Sequence, residues 1–247
     1  MGQRVDVYFV CSAKYHDTDF ARLELLKLFY ELGHDVRVKI GEDYSNVEAI
    51  ANADALVTYT CDLMPTAEQV QVLDGFLHSG KKWFALHGTN SILEFLEDGR
   101  VSTPRKAPEF MAMLGSQFIA HPPIQEYTVE NCCPSDPLVS GIGSFKVTDE
   151  LYLSEYHGDN KTLLKTQYSG TAEGFEEDQW LEQTDHKVMY RHPHGKGEVL
   201  YLTLGHCRSK YDLQPLVDEF PDLERCAWET EEYYELLRRG LRWVCDL

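Results

Sequence analysis

The chain has no apolar run approaching the roughly 18–20 residues that would span a bilayer, so no transmembrane helix is expected. It opens Met1-Gly2-Gln3-Arg4 and passes directly into a strand-like run, without the apolar core of a secretory signal. Basic residues are scarce: 23 Lys and Arg stand against 41 Asp and Glu, for a formal net charge of −18. A field of that sign repels polyanions, which argues against nucleic acid and anionic membrane as partners. The seven cysteines are odd in number, scattered and without zinc-knuckle spacing, which points to reduced thiols in a cytoplasmic protein. There is no G-x-S-x-G, no HExxH, no G-x-G-x-x-G after a strand and no Walker loop, so the serine-elbow hydrolases and nucleotide cofactors of the familiar kinds are not expected. A linker rich in Pro, Gly or Ser is missing too, as is any internal repeat. The 247 residues, 43% of them hydrophobic, therefore read as a single domain, 1–247, with a full core.

What is present is a run of alternating elements. Val5–Cys11 reads as a buried strand, and Asp17 or Thr18 caps a helix to about Leu32, where Gly33 stops it. Val36–Ile40 is a second strand, 46–51 a short helix, and Ala53–Tyr59 a third strand. Pro65 starts a helix with Val70, Leu73 and Leu77 on one face, ended by Gly80, and Trp83–Leu86 is the fourth strand. This order predicts an α/β fold with a largely parallel central sheet and helices on both faces. The second half changes texture: shorter strands at 124–130, 145–148, 151–156, 162–166 and 188–192 form a mixed β extension. His194-Gly195-Lys196-Gly197 turns a hairpin there, with His192 and His194 on its solvated side. A closing helix carries Tyr233, Leu236, Leu237, Gly240, Leu241 and Val244 in one stripe.

The sharpest local feature is His87. An apolar strand, Lys82 to Leu86, ends in His87-Gly88, and Ser91 opens a helix-like stretch. Such a turn lifts one side chain above the carboxyl end of a sheet. In nucleophile-elbow enzymes that side chain is Ser or Cys; a histidine there can bind a metal, relay a proton or donate a hydrogen bond. Other polar groups fall at strand ends in the same layout: His16, Tyr59, Asp62, His121, Asp149 with Glu150, and His206 after Gly205. Imidazoles and carboxylates converging on one sheet edge suit a metal site or acid–base chemistry. Each also has a plain structural reading, as a loop anchor or a cap.

Taken in order, these motifs resemble the ThuA-like family, named for trehalose utilisation and related in fold to class I glutamine amidotransferases. The likeness rests on His16, the Trp83–Gly88 strand and turn, His121-Pro122, and Asp149-Glu150-Leu151-Tyr152. It continues through Gly195-Lys196-Gly197, Leu204-Gly205-His206 and the closing helix through Gly240-Leu241-Arg242-Trp243. Two departures stand out: Lys82-Trp83-Phe84-Ala85 replaces a glycine-rich approach, and 205–228 is longer and more acidic than usual. The resemblance implies a flavodoxin-like, amidotransferase-like sandwich and a part in carbohydrate utilisation, acting on trehalose or a related glycoside or keto-sugar. His87 stands where amidotransferases carry their cysteine, so a thioester route is not implied.

Three functional readings follow. In the first, an acid–base or metal-assisted sugar-processing enzyme uses His87, Glu150, His206 and Tyr59 as catalytic groups. His16, His87 and His206 would hold a divalent ion, zinc foremost because imidazole-rich sites favour it. Asp62, His121, Tyr152 and Trp180 would contact the carbohydrate. In the second, the chain binds a sugar without turning it over, and Trp180, Tyr156 and Tyr59 stack on it. In the third, a thiol hydrolase survives on Cys61 or Cys11. The acidic, tyrosine-rich surface is compatible with a homo-oligomer.

Overall fold

A computed structural model describes residues 4–213, 218 and 221–247 of the chain. The first half alternates strands and helices: β1 (Val5–Ala13), α1 (Thr18–Glu31), β2 (Val36–Gly41), α2 (Val47–Asn52), β3 (Ala55–Cys61), α3 (Ala67–His78) and β4 (Lys82–Leu86). The local chemistry accounts for the boundaries. Asp17 caps α1 by accepting the Phe20 N–H, and Asn46 caps α2 through the Ala49 N–H. Pro65 lies outside α3 and not at its start. Thr66 is the cap, closing a reciprocal capping box with Gln69.

After β4 comes a single 3-10 turn, His87–Asn90, then β5 (Glu94–Phe95) and β6 (Val101–Ser102). The helix expected from Ser91 does not form, because Ser91 is already extended. There follow α4 (Pro108–Leu114), β7 (Ser116–Ala120), β8 (Gln125–Asn131), β9 (Phe145–Asp149), β10 (Leu153–Tyr156), β11 (Lys161–Thr171), β12 (Gln179–His194), β13 (Gly197–Leu202) and α5 (Glu231–Val244). β11 and β12 are far longer than their apolar cores suggest, since their outer halves pair as a two-stranded ribbon of polar residues.

The nine-stranded sheet has the order β2-β1-β3-β4-β13-β12-β11-β8-β9. From β2 to β13 the strands are parallel in the 2-1-3-4-5 order of flavodoxin-like folds, and from β13 to β9 they are antiparallel. The smaller β7–β10 and β5–β6 pairs are antiparallel as well, so among the described residues most pairings are antiparallel. The expectation of a largely parallel sheet therefore holds for the first half alone. A parallel pair needs a crossover of a dozen or more residues, and the two-residue turn between β12 and β13 cannot supply one.

Strand alternation splits the core into two layers. Val7, Phe9 and Cys11 of β1 face α1 and α5, while Tyr8 and Val10 face the layer of α2, α3 and α4. The α5 stripe from Tyr233 to Val244 is buried as its spacing predicts. A smaller cluster around Phe118, Tyr152 and Phe175 sits beyond the sheet edge. Of the two hairpin histidines, His192 is buried and bonds Asn160 through Nδ1, because glycines at 115 and 158 leave room for its ring. No helix among the described residues is long and apolar enough to cross a membrane.

Candidate functional site

Four parallel strands end in residues with positive φ: Tyr15 (69°) just after β1, Asp62 (54°) after β3, His87 (47°) after β4 and Gly205 (129°) after β13. Each end bends sharply, and between them the bends form a recess at the carboxyl edge, where ligands of such sheets bind. For His87 the left-handed backbone costs about 1–2 kcal/mol, so the surroundings must hold it there. The Tyr201 hydroxyl donates to the His87 carbonyl at 2.6 Å and accepts the Asn90 N–H at 2.8 Å. Thr89 Oγ1 donates back to the Leu86 carbonyl at 2.8 Å. Gly88 lets the turn nest against β3: a Cβ there would stand 2.7 Å from Cys61 Cβ and 2.8 Å from the Thr60 carbonyl oxygen.

The recess brings His16, His87, Glu150 and His206 together, all buried, with one donor atom of each within 4.8 Å of the others. Their tautomers can be deduced. His87 Nδ1 lies 2.9 Å from the Thr203 carbonyl oxygen and His16 Nδ1 lies 2.8 Å from that of Lys14. A carbonyl can only accept, so both Nδ1 atoms carry the proton and both Nε2 atoms present a lone pair. Those two Nε2 atoms face one another at 2.9 Å. Burial drives the imidazoles of His16 and His87 down, that of His87 to about 4, so neither supplies a bridging proton at neutral pH. The Tyr152 hydroxyl, 3.3 Å from His87 Nε2, donates toward the same point.

His206 differs because carboxylates flank it. Its Nε2–H donates to Glu224 at 2.9 Å. Its Nδ1 lies 3.0 Å from Glu150 Oε1 but makes no hydrogen bond of proper geometry. Burial alone would depress this imidazole; Glu150 first and Glu224 with it hold it up at about 9. Burial would raise the Glu150 carboxyl, but His121, His206 and His87 together hold it well below the usual range. Asp149 is structural: fully buried, and pushed up to about 7 mainly by that burial, it accepts the backbone N–H groups of Gly205, His206 and Glu150. This fastens β9 to the loop that carries His206.

Above the cluster opens a cavity of about 280 Å³. His16, Glu150 and His206 form its floor, Tyr152 and His121 one wall, and Phe95, Phe118 and Phe175 an apolar rim. His121 Nε2 lies 3.4 Å from Glu150 Oε1, and its ring stands edge-on to Phe175 at 4.9 Å. A larger open groove of about 540 Å³ along β2 and α2 contains no histidine or cysteine, so it is not where this chemistry lies.

Four expected site residues do not line the cavity, His87 among them as part of the buried cluster below it. Tyr59 lies beneath it, stacked on His87 with ring centroids 6.0 Å apart and its hydroxyl donating to the Gly205 carbonyl, so it supports His87 without reaching a ligand. Asp62 is occupied by the Leu93 N–H and by Lys14. Trp180 belongs to the β11–β12 ribbon, where it packs on His186 and donates its indole N–H to the Glu177 carbonyl. It packs against the cluster of Phe118, Tyr152 and Phe175 from outside and does not line the cavity. Cys61 touches the cavity, but burial with Glu150 and Asp62 raises its thiol, and burial pushes Cys11 up to about 11. Neither suits a thiolate nucleophile.

Sequence reasoning missed Glu224, Phe118, Phe175 and the Thr203 carbonyl. Glu224 is one of several acids in the segment 218–224, and nothing in its neighbourhood marks it as the partner of His206. The Thr203 contact is made by backbone and leaves no side-chain signature.

No curated protein matches the chain in sequence. In structure it is similar to a ThuA-like protein from Bacteroides uniformis, with 18% identity and a TM-score of 0.65, covering 98% of this chain and 91% of that one. A ThuA-like protein from Parabacteroides merdae gives 15% identity and 0.64, covering 98% and 90%. A protein described as a GMP synthase subunit, from Thermoplasma acidophilum, gives 9% and 0.52, covering 100% and 96%, in keeping with an amidotransferase-like fold. Residues 6–219 match the family model ThuA, described as trehalose utilisation, and the chain belongs to that family.

Proposed function

We propose that this chain is a metal-assisted, sugar-processing enzyme of carbohydrate utilisation, acting on trehalose or a related glycoside or keto-sugar. The observation that carries the reading is the pair of bare Nε2 lone pairs of His16 and His87 facing one another at 2.9 Å, with both Nδ1 protons committed to carbonyls. Two buried lone pairs in contact are unfavourable unless a cation lies between or beside them. His206 Nδ1 would be the third ligand, the ion taking the place of the proton that Glu150 and Glu224 favour there, and the Glu150 carboxylate lies 3.5 Å from His87 Nε2 and 3.0 Å from His206 Nδ1. Imidazole nitrogens with one carboxylate suit zinc, and carboxylate partners such as Glu224 on the far nitrogen are usual for metal-bound histidine.

His16, His87 and His206 would hold the ion. When bound, it would supply a Lewis acid to polarise a sugar carbonyl or hydroxyl, or a water. Glu150, held anionic, takes the proton from the hydroxyl or water that faces it, and His121 beside it passes that proton outward. Tyr152 orients the ligand, and Phe118 and Phe175 take the apolar face of a pyranose ring. The same aromatic rim supports the second reading, a sugar-binding protein without turnover.

The test is metal content in protein purified without chelator. The expected result is that His87→Ala, still folded, carries one zinc fewer per chain than wild type. A metal-free wild type that still turns over a glycoside would overturn the metal role, and saturable sugar binding with metal but no product would favour the binding protein.

A further inference from the structure

A second group of metal-ligating side chains lies at the opposite end of the sheet, outside the cavity. Asp74 and His78 sit one turn apart on α3, and His194 ends β12. His194 Nε2 lies 2.7 Å from Asp74 Oδ1, and His78 Nδ1 lies 3.2 Å from Asp74 Oδ2 and 3.0 Å from the Asp74 carbonyl oxygen, so a bound ion would replace a proton that His78 now shares with Asp74. The two imidazole rings meet edge-on with centroids 5.2 Å apart, and one donor atom from each of the three residues falls within 4.8 Å of the others.

The Gly195-Lys196-Gly197 turn, which the catalytic reading does not use, is what presses His194 onto α3. Gly195 has φ +60°, and a Cβ there would stand 2.8 Å from the His78 ring. At Gly197 a Cβ would come within 2.5 Å of the Leu77 carbonyl oxygen. The hairpin turn is thus seated directly on the last turn of α3, with no room to slide, and the three ligands are held together by backbone contact.

We propose that Asp74, His78 and His194 form a second site, for a divalent transition metal such as zinc, that staples the β12–β13 turn to the end of α3. Two imidazoles and one carboxylate from rigid elements match zinc in ligand type and number, with a fourth position left for water. The placement gives the staple a consequence. α3 leads into β4, which ends at His87, and the turn leads into the neighbouring strand β13, which leads to His206. A bound ion ties together the starts of the two adjacent strands whose far ends deliver two histidines of the buried cluster. The proposal does not rest on the metal reading of the cavity.

Equilibrium dialysis of the full-length protein against low micromolar zinc tests it, comparing wild type with His78→Gln and His194→Gln. Each variant is expected to bind one zinc fewer than wild type and to lose the zinc-dependent part of the rise in unfolding temperature. The measured quantity is a difference between proteins, so it holds whether or not the cavity itself loads. His78 is more than half exposed, so its replacement leaves the fold intact and suffices if His194→Gln does not fold. Equal zinc content in wild type and His78→Gln would overturn the proposal.

Discussion

Replacing Gly88 with alanine would test the geometry on which the site depends. The added Cβ meets Cys61 Cβ at 2.7 Å, whereas ordinary contact begins near 3.4 Å, so about 0.7 Å must be absorbed. The obstacle cannot retreat. All seven residues of β3 are buried, and the strand is hydrogen-bonded on both sides, to β1 and β4. The turn must therefore move, at an overpacking cost of about 1–3 kcal/mol. For a chain of this size that corresponds to a fall in Tm of roughly 2–12 °C. The same shift carries His87 away from His16, so zinc affinity should fall about 10–100-fold, the range typical of disturbed ligand support. Differential scanning calorimetry and a competition titration with a zinc chelator read both quantities. Gly75→Ala in α3 is the internal control: nothing lies within 4 Å of its Cβ position, so it should raise stability by about 0.5–1 kcal/mol. A Gly88→Ala protein with wild-type Tm and zinc affinity would refute the account of how the turn is held.

Glu224→Gln removes the charge behind His206 Nε2, and a drop in zinc affinity of about 10–100-fold is expected by chelator competition; unchanged affinity would assign Glu224 to Arg208 alone. Phe175→Ala should weaken glycoside binding by about 1–2 kcal/mol in calorimetric titration while Trp180→Ala leaves it unaltered, since only the first lines the cavity. The reverse pattern would place the sugar elsewhere. His186 is buried and held down at about 4, chiefly by that burial, whereas its unfolded value is near 6.5. Between those pH values the unfolded chain binds the extra proton, so stability present above about pH 6.5 is lost as pH falls toward 4. In His186→Gln the urea midpoint should decline less steeply across that window, and identical slopes would count against a neutral buried imidazole.

Much of the first half was legible because its signals are local. Caps at Asp17 and Asn46, the stop at Gly33 and the apolar runs of β1, β3 and β4 depend on residues a few positions apart, and they set the elements within a residue or two. His16, His87 and His206 could be proposed together because each follows a parallel strand and such strands bring their carboxyl ends to one edge, whereas Glu150 follows the antiparallel β9 and is brought to them by Asp149, which bonds the backbone of Gly205 and His206. The long ribbon of β11 and β12 was not legible: its outer residues are exposed on both sides and show no hydrophobic alternation. The helix expected after His87 failed because the apolar residues beyond Ser91 serve a loop and the short β5.

The sequence by itself determined the alternating framework, the family and the residue types available for chemistry, since these reside in local pattern and order along the chain. The tertiary structure alone decided that half of the sheet is antiparallel, that Tyr59 supports and does not reach the cavity, and that Glu224 stands behind His206. It also decided the tautomers of His16 and His87, because each is set by a backbone carbonyl. The Thr203 carbonyl that holds His87 lies 116 residues away in the chain, and such an acceptor carries no side-chain identity for a sequence to display.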